Sequence, residues 1–122
     1  MKKLILLLLM MFTITSFSQT QYRKIYTSTY TEETGMKSVT NTFLYNYGNT
    51  TDLKIYYTNG ESEIFEQVTE YIHGKTISGY GYISCMYHGR NSDIRILLQI
   101  FDDVNYGIRI TFQSGQSIQF YE

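Results

Sequence analysis

IRILLQIF (Ile94–Phe101), DDVN (Asp102–Asn105) and YGIRITFQ (Tyr106–Gln113) are the stretch on which the fold turns. In the first run Ile94, Ile96, Leu98 and Ile100 occupy alternate positions, and in the last Tyr106, Ile108, Ile110 and Phe112 alternate with Gly107, Arg109, Thr111 and Gln113. A period of two places one set of side chains on one side of an extended backbone, the pattern of a half-buried strand. Leu97 and Phe101 add apolar groups to the second face of the first run, which assigns that strand to the middle of a sheet. The short polar link makes the two strands an antiparallel pair.

The same rhythm extends outward in both directions. Towards the C-terminus, Ser114-Gly115-Gln116 turns the chain into a last strand with Ile118 and Phe120 facing in and Gln119 and Tyr121 facing out. Towards the N-terminus, the loop His88–Asp93 follows a strand over Lys75–Tyr87, in which Gly79 and Gly81 oppose Tyr80 and Tyr82. Ser62–Ile72 is ambiguous, because Ile64, Phe65, Val68, Tyr71 and Ile72 fit a helical stripe closed by Gly74 as well as a bulged strand. Strands on both sides and a short turn at His73-Gly74 favour the strand. Asn59-Gly60 predicts a type I′ hairpin, preceded by Leu53, Ile55 and Tyr57 alternating with Asp52, Lys54 and Tyr56. A second strand over Met36–Tyr47 puts Val39, Phe43, Tyr45 and Tyr47 on a common face, and a first over Tyr22–Thr31 does the same for Tyr22, Tyr26 and Tyr30, with Glu32-Glu33-Thr34-Gly35 between them. Eight strands joined by short loops define an all-β antiparallel meander, either a small barrel or a two-sheet sandwich.

The chain opens with Lys2 and Lys3, runs without charge through Leu4–Phe12 and reaches Ser16 and Ser18, the three-part layout of a cleavable export signal in bacterial style. Its apolar run of about ten residues is half of what a membrane-spanning helix needs. Residues 1–18 are therefore read as a signal peptide, and Gln19–Glu122 as one periplasmic or secreted domain. Cleavage leaves eight basic and eleven acidic residues, so a basic footprint for nucleic acid is absent. Cys85 is the only cysteine, so stability comes from packing without an intramolecular disulfide.

Few residues suggest chemistry. Cys85 and His88 resemble a nucleophile and base, yet residues three apart on a strand point to opposite faces, which reads as a buried thiol and a solvated histidine. His73 has no second ligand at metal spacing, and no metal or cofactor is expected. Asp102, Asp103 and Asn105 before Gly107 alternate as in the start of a calcium loop, but no bidentate acid follows, and capping of a tight turn explains them. Asp93 and Asp102 stand at opposite ends of one strand, too far apart to act as a carboxylate pair.

Tyrosine is the feature in excess, with 13 in the chain, all after residue 18. Each offers an apolar plate with a polar tip. Tyr22, Tyr26 and Tyr30 on one strand, and Tyr80 and Tyr82 on another, are the candidate binding residues. The expected function is a non-enzymatic binding module of the bacterial cell envelope that meets a protein, peptide or glycan through a tyrosine-lined face or barrel mouth. An inhibitor is a special case, by analogy with small exported barrels that inhibit cell-wall-degrading enzymes. The alternatives are a small-barrel carrier of an apolar ligand, and a hydrolase using Cys85 and His88.

Overall fold

The computed structural model describes residues 19–122; the signal read over Met1–Ser18 lies outside the described residues. Nine strands form one antiparallel sheet: β1 Tyr22–Thr31, β2 Gly35–Tyr47, β3 Asp52–Tyr56, β4 Ser62–Gln67, β5 Ile72–Lys75, β6 Gly81–Gly89, β7 Arg95–Phe101, β8 Ile108–Phe112 and β9 Ser117–Tyr121. Neighbours run β4-β3-β2-β1-β9-β8-β7-β6-β5, and β4 also pairs with β6. That last pairing closes eight strands into a barrel and leaves β5 as one extra strand.

The closing seam is short. Phe65, Glu66 and Gln67 pair with Gly89, His88 and Tyr87, and β5 then continues along the same edge of β6 from Ile72↔Ser84 to Lys75↔Gly81. Ser62–Lys75 is thus one strand interrupted at residues 68–71, where the Val68 N–H still donates to the Met86 carbonyl at 2.8 Å and the Met86 N–H donates to the Thr69 hydroxyl at 3.0 Å. The strand reading of this segment holds against the helical one. The turn expected at His73-Gly74 does not: both residues lie inside β5. Gly74 is small for a packing reason, since a Cβ there would stand 2.7 Å from the Tyr82 ring that crosses it.

The turn comes at Thr76–Tyr80 instead, and its construction recurs. In Thr76–Tyr80, Tyr57–Glu61 and Phe112–Gln116 the first and fifth residues pair, the fourth N–H donates to the first carbonyl at 2.9–3.0 Å, and the fourth residue is glycine. Gly60, Gly79 and Gly115 have φ between +88° and +92°, where a side chain is strained. Asn59 is not in the positive-φ region, so the hairpin expected there as type I′ is a three-residue loop ending in a left-handed glycine. At the other expected loop, His88 and Gly89 still belong to β6, and the link to β7 begins at Arg90.

The inward set is apolar and mutually packed: Phe43 from β2, Leu53 and Ile55 from β3, Phe65 from β4, Cys85 and Tyr87 from β6, Ile96 and Leu98 from β7, Ile108 and Ile110 from β8, and Phe120 from β9. Each such aliphatic or aromatic side chain contributes about 1.5–3 kcal/mol by leaving water. The run that predicted the fold keeps its assigned faces, and Tyr106 moves from the strand into a 3₁₀ turn, Val104–Tyr106. Asp103 caps that turn by accepting from the Asn105 N–H at 2.9 Å.

Two irregularities redirect tyrosines. The β1–β2 register slips between Tyr26 and Ser28, so that Tyr26 and then Thr29 are buried while Tyr30 stands 43% exposed on the outer wall. Tyr22, Tyr26 and Tyr30 therefore do not share a face. Asn46, at φ 54°, is an extra residue between Tyr45↔Leu53 and Tyr47↔Asp52. It separates Tyr45, which is buried, from Tyr47, whose ring lies 4.9 Å from the Lys54 ammonium on the outer wall. The common face expected for Val39, Phe43, Tyr45 and Tyr47 ends at this bulge.

Candidate binding site at the barrel mouth

The β1–β2, β3–β4, β6–β7 and β8–β9 hairpins all turn at the same end of the barrel, and that end is open. A cavity of ≈ 740 Å³, exposed to solvent on one side, lies between the β1–β2 and β8–β9 hairpins. Thr29 and Thr31 line it from β1, Val39 and Asn41 from β2, Phe112 from β8, and Ile118 and Phe120 from β9, with Tyr57 across from them. Phe43 and Phe120 meet edge to face at 5.2 Å beneath it, so the mouth has an aromatic floor and the barrel axis below is filled.

The lining is mixed, since Glu32, Glu33, Thr34, Lys37, Ser114, Gln116 and Ser117 bring polar and charged groups to its rim, and two of its polar side chains are nearly buried. Asn41 is 6% exposed, and its carbonyl oxygen accepts from the Thr58 N–H at 3.2 Å, tying β2 to the β3–β4 turn. Thr29 is 8% exposed. Among the described residues neither the Asn41 amide nitrogen nor the Thr29 hydroxyl has a hydrogen-bond partner, and neither is an orphan sealed from solvent, so both are offered to the cavity. A shallower depression of ≈ 450 Å³ adjoins the mouth at Tyr57 and is lined by Lys54, Glu61, Glu63, Asn91 and Ser92 among others. The Tyr57 hydroxyl donates to Glu63 at 3.5 Å, and burial, with the adjacent carboxylate, pushes that phenol up to about 12.

Towards the end marked by the β2–β3 turn, tyrosines fill the interior. Tyr22 stacks on Tyr45 at 4.9 Å, Tyr45 and Tyr26 share a hydroxyl hydrogen bond at 2.9 Å, and Tyr71 bonds Tyr87 hydroxyl to hydroxyl. Burial is the main cause that raises all four of the latter phenols, Tyr26 and Tyr71 to about 12. Of the candidate binding residues, Tyr26 is buried in this group, and Tyr22, 49% exposed, stacks on Tyr45 at its solvent edge. Tyr30, Tyr80 and Tyr82 lie outside it: Tyr80 packs on Tyr106 at 4.3 Å, and Tyr82 packs on Phe101 at 5.8 Å, where the Arg109 guanidinium covers the ring. The five tyrosines thus fall in three places: Tyr22 with Tyr26, Tyr30 on the outer wall near the β1–β2 turn, and Tyr80 with Tyr82 beside Phe101 and Tyr106, so the strip expected on β1 is not formed.

The other candidates resolve simply. Cys85 faces the core opposite Leu98, and its thiol donates to the Thr69 carbonyl at 3.0 Å. His88, opposite Arg95, is on the outer face. Cys85 and His88 thus lie on opposite faces of β6 and are not brought together, and burial pushes the Cys85 thiol up. No group of three or more His, Cys, Asp or Glu side chains suited to a metal ion occurs among the described residues.

The mouth residues Thr29, Asn41, Tyr57 and Glu63 were not singled out by the sequence reading. Their signal was a polar residue at an inward position: Asn41 two before Phe43, Glu63 two before Phe65. By fold and site the protein is a closed eight-stranded antiparallel barrel, packed through its axis and open at one mouth. No protein-family model, curated protein or solved structure matches the chain.

Proposed function

We propose that this chain is an exported, non-enzymatic binding module of the cell envelope whose recognition surface is the barrel mouth. The observation that carries this reading is the combination of an open ≈ 740 Å³ cavity with two nearly buried polar groups, on Asn41 and Thr29, that have no partner within the described residues. A nearly buried donor that meets no protein acceptor is reached only from the solvent side, so its position at a cavity marks where an outside group replaces water. Phe112, Phe120 and Tyr57 supply flat apolar surface beside those groups, a pairing suited to a peptide or glycan segment. The filled axis favours recognition at the surface over enclosure, which ranks a carrier of an apolar ligand second; Val39, Ile118 and Phe112 in the wall are what support it.

The test is an amide chemical-shift titration of the Gln19–Glu122 domain with a panel of short capped peptides and oligosaccharides. Shifts should gather on Thr29, Asn41, Tyr57 and Ser117, and Asn41→Ala should weaken the responding ligand while the remaining spectrum stays that of the folded barrel. Shifts confined to Tyr30, Tyr80 and Tyr82 would move the site to the outer wall and sink the mouth reading.

A further inference from the structure

We infer that the depression beside the mouth is a cation-recognition subsite centred on Glu63, and that the occupant of the combined site is a basic peptide segment of a partner protein. This rests on the reading of the mouth as the binding surface. Glu63 occupies an inward position on β4, two residues before the buried Phe65, where the rest of the barrel places apolar groups. Its carboxylate accepts from the Ser92 hydroxyl at 3.0 Å and from the Tyr57 hydroxyl at 3.5 Å. Both donors are neutral. The ion pairs among the described residues join Lys24 to Glu122 and Arg90 to Asp52 and Glu66, leaving Glu63 without a countercharge. Lys54 borders the same depression, yet its ammonium is held over the rings of Tyr47 and Tyr56 at 4.9 and 4.7 Å.

A half-buried carboxylate, oriented by two hydroxyls and lacking a cation, is the complement of an ammonium or guanidinium group. Asn41 adds a second and independent requirement, because its amide nitrogen faces the adjoining mouth with no acceptor. A peptide meets both needs in one chain: a backbone carbonyl for Asn41, an apolar side chain over Phe112 and Phe120, and a neighbouring lysine or arginine for Glu63. A sugar would leave hydroxyls unpaired against Val39 and Ile118. The formal charge of −3 on Gln19–Glu122 also draws a basic partner towards the site.

The experiment compares two capped tripeptide amides, phenylalanine–lysine–phenylalanine and phenylalanine–norleucine–phenylalanine, by shift titration at low salt against the Gln19–Glu122 domain and its Glu63→Gln variant. Glutamine keeps the hydrogen-bonding shape and removes the charge. The lysine peptide should bind about five-fold more tightly than its norleucine counterpart. That preference should vanish in Glu63→Gln and shrink at about 0.5 M salt. Equal binding of the two peptides, or a lysine preference that survives Glu63→Gln, overturns the inference while leaving the mouth reading intact if mouth amides still shift. A glucosamine oligomer that depends on Glu63 more than the lysine peptide does overturns the peptide assignment. If neither these probes nor the wider panel moves a mouth amide, the mouth reading falls and the subsite with it.

Discussion

Gly107 lies against the backbone carbonyl of Phe120: a Cβ at position 107 would stand 1.9 Å from that oxygen. Its φ of 60° and ψ of −130° form a combination open to glycine alone. This contact lets the chain leave the 3₁₀ turn and enter β8 directly beside β9. Gly107→Ala should cost more than about 3 kcal/mol, at the upper end of single substitutions. Gly115→Ala has a similar sign of φ but open space around it, and should cost only about 1 kcal/mol. Urea denaturation of the two variants checks the ranking, and equal losses would refute it.

The buried phenols set an alkaline limit. Tyr26, Tyr57 and Tyr71 hold their protons to about 12, whereas an unfolded tyrosine releases its proton near 10.0. The folded state is thus favoured by bound protons, so this contribution is complete below pH 10 and is lost as pH rises towards 12. Stability should fall across that window, with the phenolate absorbance of these residues appearing together with unfolding. A titration in which all tyrosines ionise near pH 10 in the folded protein would contradict the assignment.

Tyr45→Phe strands the hydroxyl of Tyr26, its partner at 2.9 Å. Removing one member of a buried hydrogen-bonded pair costs about 1–3 kcal/mol. The double variant Tyr26→Phe with Tyr45→Phe should recover part of that loss, because no orphan remains. Thermal unfolding of the three variants provides the cycle.

Cys85 should resist alkylation at neutral pH in the folded protein and react freely in denaturant, since its thiol is buried and donates to Thr69. A fast reaction in native buffer would mean that residues 68–71 lift away from β6. Cys85→Ser should leave ligand binding at the mouth within a few-fold of the parent.

Expression of the whole chain in a bacterial host should release a product beginning within two residues of Gln19 into the periplasm or medium. Intact-mass measurement of the exported protein checks this. Retention of residues 1–18 would instead point to an uncleaved anchor.

Strand identity was legible where alternation survives without a bulge: Ile94–Phe101, Leu53–Tyr57 and Ile118–Tyr121 keep the faces their pattern assigned. The illegible parts are those where counting by two fails. Nothing in the composition of Tyr22–Thr31 marks the slip between Tyr26 and Ser28, because it arises from pairing with β2. At Asn46, an asparagine within an apolar run, a positive φ was readable in hindsight. The position of the β5–β6 turn was missed because His73-Gly74 offered a competing signal, while Ser78-Gly79 was the true one. The mouth was less legible for a related reason: its sign in the sequence is two polar residues, Asn41 and Glu63, on inward positions, against a background of 13 tyrosines.

The shared hairpin construction bears on how such a protein can diversify. In the Phe112–Gln116 hairpin, geometry is fixed by Gly115, the paired ends and the Ser114 hydroxyl, which accepts from the Gln116 N–H at 3.4 Å, and this leaves Gln113 free of the frame. Ile77 and Ser78 hold the equivalent places at the opposite end of the barrel, and Ile77 is fully exposed there. Substitutions at Gln113 change the hairpin tip at the mouth end, while those at Ile77 fall at the opposite end. The tips of these hairpins can therefore vary in sequence while the glycine and the paired ends keep the barrel's frame.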